Sequence, residues 1–194
     1  VIMDTVEIIF SVFLGIGLAA AVGFRVFIPL LVLSLAGFYD YIPLNESWAW
    51  AGSLTAVITL GVATLVEIFG YYIPWFDNVL DTIAIPLAAI AGTAVMMATV
   101  SELSPVVTWA LAIIAGGGTA TAIKGNTSAI RLTSSATTGG IGNPIVATVE
   151  TGTSTVMSLL SVFIAPLAFL FVLFIFFGIY KFYKKLRKKD SPST

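Results

Sequence analysis

Five charged residues, Arg25, Glu67, Lys124, Arg131 and Glu150, stand inside or at the edges of apolar stretches long enough to cross a bilayer. An ionised group in hydrocarbon costs at least about 2.5–3.5 kcal/mol, so such residues face a protein interior or a wet cavity. The surrounding sequence leaves little choice of solvent. The 194 residues are 58% hydrophobic and 10% charged, with a mean hydropathy of +1.04. A soluble core of this size cannot hide so much apolar surface. The chain therefore reads as an all-α integral membrane protein: one polytopic domain, a helical bundle of about six to eight segments, some broken or re-entrant.

The net charge of −1 conceals an asymmetry. Six of the nine basic residues lie in Tyr180-Lys-Phe-Tyr-Lys-Lys-Leu-Arg-Lys-Lys189. Basic residues beside a hydrophobic segment favour the cytoplasmic face, so residues 183–194 read as a cytoplasmic tail of a multi-pass protein in the cell membrane. The run also attracts anionic headgroups, which makes membrane lipids expected partners. It is the only basic run and it is juxtamembrane, so nucleic acid is not an expected partner. The absence of Cys and His excludes disulfides, thiolate chemistry and His- or Cys-based metal and catalytic sites. No catalytic residue, metal or cofactor is expected, and the reading is not that of an enzyme. The N-terminus lacks the basic start of a signal peptide, so its first apolar run reads as a retained helix.

Spans are expected at about 6–23, 24–38, 48–69, 80–100, 105–123 and 156–180, with a short segment around Glu150. Polar loops follow at 39–47 and 70–78, where Trp48, Trp50 and Pro74-Trp75-Phe76 suit the membrane–water interface. Ser104 and Pro105 read as N-cap and first helical residue. Residues 124–144 hold two cations, many hydroxyls and Gly139-Gly-Ile-Gly-Asn-Pro144. Such a stretch cannot face lipid. It is an exposed loop or, as favoured here, a re-entrant segment lining a cavity.

Three short matches recur in the same order: Ala20-Ala-Val-Gly23 with Ala122-Ile-Lys-Gly125, Val62-Ala-Thr-Leu-Val-Glu67 with Val146-Ala-Thr-Val-Glu150, and Ile85-Pro-Leu-Ala88 with Ala165-Pro-Leu-Ala168. They suggest two repeats, 5–100 and 104–182. Transporters built from repeats place their sites at the repeat interface, among broken helices.

The run Gly17-Leu-Ala-Ala-Ala-Val-Gly-Phe-Arg-Val-Phe-Ile-Pro-Leu30, with Glu67 and Ile73-Pro-Trp-Phe-Asp-Asn-Val-Leu-Asp81, resembles a family of small prokaryotic integral membrane proteins, the domain-of-unknown-function family 4126. The likeness covers about residues 8–180. It implies helical membrane architecture and no settled activity. Family members commonly carry an Asp-Lys pair before that Ile-Pro; here Tyr71-Tyr72 stand instead.

If helix runs from 124 to 131, Lys124 and Arg131 share a face. With Arg25 and the polar residues Asn126, Thr127, Ser128 and Ser134, they form a candidate substrate-binding set for an anionic small molecule or lipid headgroup. Glu67 and Glu150 are candidate gating or proton-coupling groups. The competing structural reading pairs Arg25 with Glu67 and Arg131 with Glu150. Asp77 and Asp81 read as helix-capping residues beside a solvated loop. Three functions follow: a transporter or channel-like protein for an anion, a cation or proton pathway centred on Glu67 and Glu150, or a membrane scaffold or complex subunit. A homodimer is expected from the base rate of closed symmetry.

Overall fold

A computed structural model describes residues 5–100 and 103–189, with Pro74, Trp75, Asn78 and 186–189 by backbone alone. The readings made on the first four residues, on the Ser101-Glu102 part of the turn before Pro105, on the Trp75 side chain and on the tail beyond 189 lie outside the described residues. Eight α-helices and no strand occur among the described residues: α1 (Thr5–Phe24), α2 (Phe27–Phe38), α3 (Leu54–Gly70), α4 (Pro74–Thr99), α5 (Pro105–Leu111), α6 (Gly118–Thr138), α7 (Asn143–Phe163) and α8 (Ala165–Lys189). A 3-10 helix, Glu46–Gly52, meets α3 at a bend of 64°. Five helical stretches are long and apolar enough to span a membrane, so this is a multi-pass helical membrane bundle.

Successive segments run in alternating directions. Tyr41 after α2 stacks edge-on against Phe163 at the end of α7, and the Asn45 N–H donates to the Ala98 carbonyl at the end of α4. At the other end the starts of α2, α4 and α7 meet the ends of α1, α3 and α6. α1 is the central strut. Leu18 through Val22 are wholly buried against its neighbours, and small residues let those neighbours close in. Of the five, α8 is the least enclosed, as the all-round apolar sequence of its first four turns implies.

Three boundaries differ from the sequence reading. First, residues 124–138 form neither a loop nor a separate half-helix: they continue one helical run, Pro105–Thr138, through a π-helical turn at Ala112–Gly117. No breaker occurs before Gly139, which ends α6 in the left-handed region at φ 63°. The triple glycine at 116–118 keeps its helix because it is packed. A Cβ on Gly116 would strike the Gly92 carbonyl oxygen of α4, and one on Gly92 would strike the Gly116 carbonyl. Gly116→Ala is therefore expected to destabilise the fold by about 1–3 kcal/mol, read by thermal melting in detergent. Second, the segment around Glu150 is not short. α7 is a full 21-residue helix, and the break before α8 falls at Ile164, because Pro166 can neither donate to nor pack under a continuing turn. Third, α4 starts at Pro74 rather than near residue 80, with proline at its first position.

Candidate functional site

Every basic residue outside the C-terminal run lies in one buried cluster. Arg25 is 0%, Lys124 1% and Arg131 2% exposed. Two elements supply them: Arg25 comes from the break after α1, and Lys124 and Arg131 from one face of α6, seven residues apart as expected. Arg131 and Glu150 lie about 10 Å inside the adjoining helix ends, at 1.5 Å per residue.

Arg131 is the hub. Its Nε donates to both oxygens of Glu150 at 3.1 and 3.2 Å, and its Nη2 donates to Glu150 Oε2 at 2.7 Å. Its Nη1 donates to Asp77 Oδ1 at 2.6 Å and stands 3.9 Å from Asp81 Oδ2. The forked guanidinium thus ties α6 to α7 and α4 at once. Arg25 faces the same carboxylate: Nη2 is 3.5 Å from Glu150 Oε2 and donates to the Ala147 carbonyl at 2.9 Å, while Nε donates to Thr151 Oγ1. Lys124 Nζ donates to the Phe24 carbonyl at 3.1 Å, setting a cation on the C-terminal end of α1.

Glu67 is not the ion-pair partner of Arg25. Its two oxygens accept from the backbone N–H groups of Val26 and Phe27 at 2.8 and 2.9 Å. These are orphan donors at the start of α2, and a carboxylate borrowed from α3 caps them where the helix dipole favours negative charge. Glu67→Ala leaves both donors buried and unpaired. We expect a loss of about 2–4 kcal/mol in thermal melts, with Glu67→Gln, which keeps one acceptor oxygen, losing roughly half as much.

Two parts of the site escaped the sequence reading. Asp77 is not a solvated capping residue. It is 3% exposed, one oxygen on Arg131 and the other accepting from Asn143 Nδ2 at 3.4 Å. Asp81, one turn on, completes the same acidic face of α4. Tyr71 is the other. The guanidinium carbons of Arg25 and Arg131 lie 3.8 and 4.3 Å from its ring centroid, and Lys124 Nζ lies 5.9 Å away. Its ring face offers these cations partial negative charge without a further ion. Burial, and then Asp81, push its phenol above the ordinary pKa, so the ring stays neutral.

The remaining predicted residues divide. Thr127 is buried but donates to the Lys124 carbonyl. Ser128 Oγ is buried with no hydrogen-bond partner, as are Arg25 Nη1 and Asp81 Oδ1. Asn126 donates to the Ala122 carbonyl, and with Ser134 it lines a groove between α6 and α8. A cavity of about 650 Å³, lined by Tyr71, Tyr72, Asp77, Ser135 and Asn143 among others, adjoins the cluster. At the opposite end a cavity of about 510 Å³ is lined by Glu7, Ser11, Thr99 and Ser161 among others. Between them Ser154, Ser158 and Ser161 on α7 are wholly buried, and Ser154 donates to the Ala21 carbonyl of α1.

The bundle and its ionic core define a polytopic helical membrane protein with a charge network near one end. Residues 12–185 match the family described as Domain of unknown function (DUF4126), and the chain belongs to that family. No curated protein and no solved structure matches it.

Proposed function

We propose that this is a small membrane transporter or channel-like protein that moves protons through the carboxylates around Arg131. One observation carries the reading: the cluster gathers three cations, Arg25, Lys124 and Arg131, against four carboxylates, Glu67, Asp77, Asp81 and Glu150. An unbalanced charge is expensive in a low-dielectric interior. The group is neutral only when one further positive charge joins it. A proton is the smallest charge that can supply it, and carboxylates are the groups that take one up.

Asp81 is the group placed to carry it. Its Oδ1 has no hydrogen-bond partner, its side chain is 27% exposed, and its tie to Arg131 is a long one. Glu150 and Asp77 keep Arg131 in place, and Glu67 positions α2. The serine file on α7 runs towards the opposite cavity, with the Ser158 and Ser161 hydroxyls donating to carbonyls of their own helix. It is closed where Gly17 of α1 packs on Ser161, too tightly to admit a Cβ. With the basic run cytoplasmic, as the charge bias implies, the cluster faces the cytoplasm. The test is proton uptake into proteoliposomes under a potassium-diffusion potential, followed with an entrapped pH dye. Wild-type protein should conduct. Asp81→Asn should lower the rate by about tenfold or more, in keeping with the usual weight of a positioned proton-transfer group. Equal rates with and without protein reject the proposal.

A second reading, movement of an anionic solute or headgroup, is favoured by the spare donors. Arg25 Nη1 and Ser128 Oγ are buried without partners, and Lys124 has three N–H groups for its one carbonyl acceptor. Chloride or phosphate flux in the same vesicles that falls in Arg25→Gln and Ser128→Ala supports it; flux unchanged in both removes it.

A further inference from the structure

The groove between α6 and α8 takes no part in the charge network. It holds about 690 Å³ at the cluster end of the bundle. Its two walls differ in chemistry. α6 contributes Asn126, Thr133 and Thr137; α8 contributes Gly178, Phe182 and Tyr183. The α6 wall sets amide and hydroxyl groups beside Ala129 and Ile130, the α8 wall is apolar and aromatic, and the groove as a whole is mostly apolar, on the outer surface of a membrane bundle.

We propose that this groove binds an anionic phospholipid, its acyl chain along α8 and its headgroup beside the end of α6. Three observations support a lipid of that charge. Lys181, Lys184 and Lys185 are exposed on the same stretch of α8, and none is paired with a carboxylate among the described residues. Lys181 and Lys184 lie over the Phe177 and Tyr180 rings at 5.8 and 5.9 Å, and neither ring lines the groove, so their ammonium groups stay outside it. Gly178 stands in mid-helix, where glycine is the poorer helix former, yet a Cβ there would meet nothing within 4 Å. It serves no packing contact within the chain, and its missing side chain widens the groove. An amphiphile matches the two walls, and the unopposed lysines select a negative headgroup, by about fivefold for each lysine near the surface.

The inference does not depend on proton movement, and its test reads lipid alone. The full chain, purified in neutral detergent, is presented with equal amounts of phosphatidylglycerol and phosphatidylcholine, and retained lipid is counted by native mass spectrometry. Wild-type protein should retain phosphatidylglycerol about tenfold or more over phosphatidylcholine. Gly178→Leu fills the groove and should lower that retention about fivefold or more. Gly152→Leu is the control. It also adds a side chain where a Cβ meets nothing, but on exposed α7 outside the groove, and should change nothing. The triple variant Lys181→Gln, Lys184→Gln, Lys185→Gln should keep a bound lipid but lose the preference for charge. Melting temperatures establish that each variant folds. Equal retention of the two lipids by wild type, or the same retention in Gly178→Leu as in Gly152→Leu, overturns the proposal. So does displacement of phosphatidylglycerol by excess inorganic phosphate, since the groove would then hold a phosphate and not a lipid.

Discussion

Arg131→Ala is expected to cost about 3–5 kcal/mol of stability, the largest loss from any single side chain in the cluster. Arg131 gives three hydrogen bonds to Glu150 and one to Asp77. Without it, both carboxylates stay buried with only Arg25 and Lys124 to balance them. For a chain of this length such a loss lowers the melting temperature by about 10 °C or more. Arg131→Lys should recover less than half. A single ammonium cannot reproduce a fork that spans α4 and α7. The double variant Arg131→Met, Glu150→Gln should melt above Arg131→Ala, because removing both members of a buried pair leaves fewer charges uncompensated. If Arg131→Ala melts within about 2 °C of wild type, the ion pairs are not what holds α6 to α7.

Much of this arrangement was legible in the sequence, and the parts that were not share a cause. A charge in an apolar run announces that it must be buried with a partner, and Arg25, Lys124, Arg131 and Glu150 are. The α-helical period places Lys124 and Arg131 on one face, and Arg131 with Glu150 is one of the two ion pairs that the sequence suggests. Choosing partners across the bundle is another matter. Glu67 lies nearer in sequence to Arg25 than Glu150 does, yet the start of α2 offers it two backbone N–H groups, and Arg25 swings to α7 instead. Asp77 was misread for a different reason. A carboxylate in the first turn of a helix is already explained locally by the dipole, so nothing in the sequence asks for Arg131, 54 residues away. Tyr71, in an aromatic loop beside a proline, carries the ordinary signature of an interfacial anchor. Only its position between helix ends turns its ring towards two guanidinium groups. The hydroxyl-rich stretch suggests a re-entrant segment because so many polar groups cannot face lipid unsatisfied. In place, the hydroxyls bond carbonyls one turn back, as Thr133 and Thr137 do, and the helix continues.

Asp81→Asn should separate a working charge network from a merely structural one, because its effects on stability and on flux run in opposite directions. The substitution leaves three cations against three carboxylates. It gives up only a 3.9 Å approach to Arg131 and removes the excess negative charge. Stability should therefore hold or rise, with a melting temperature at or above that of wild type. Proton uptake should fall by about tenfold or more, since the amide cannot take up and release a proton. Asp77→Asn is the contrasting case. It weakens a 2.6 Å charge-assisted bond in a buried setting and should lower the melting temperature along with the flux. A network that only cements helices together would rank the two variants the same way by stability, but neither would change a flux. Loss of conduction in a variant at least as stable as wild type cannot be ascribed to unfolding. Conduction at the wild-type rate in Asp81→Asn would mean that the proton, if one moves, does not pass through this carboxylate.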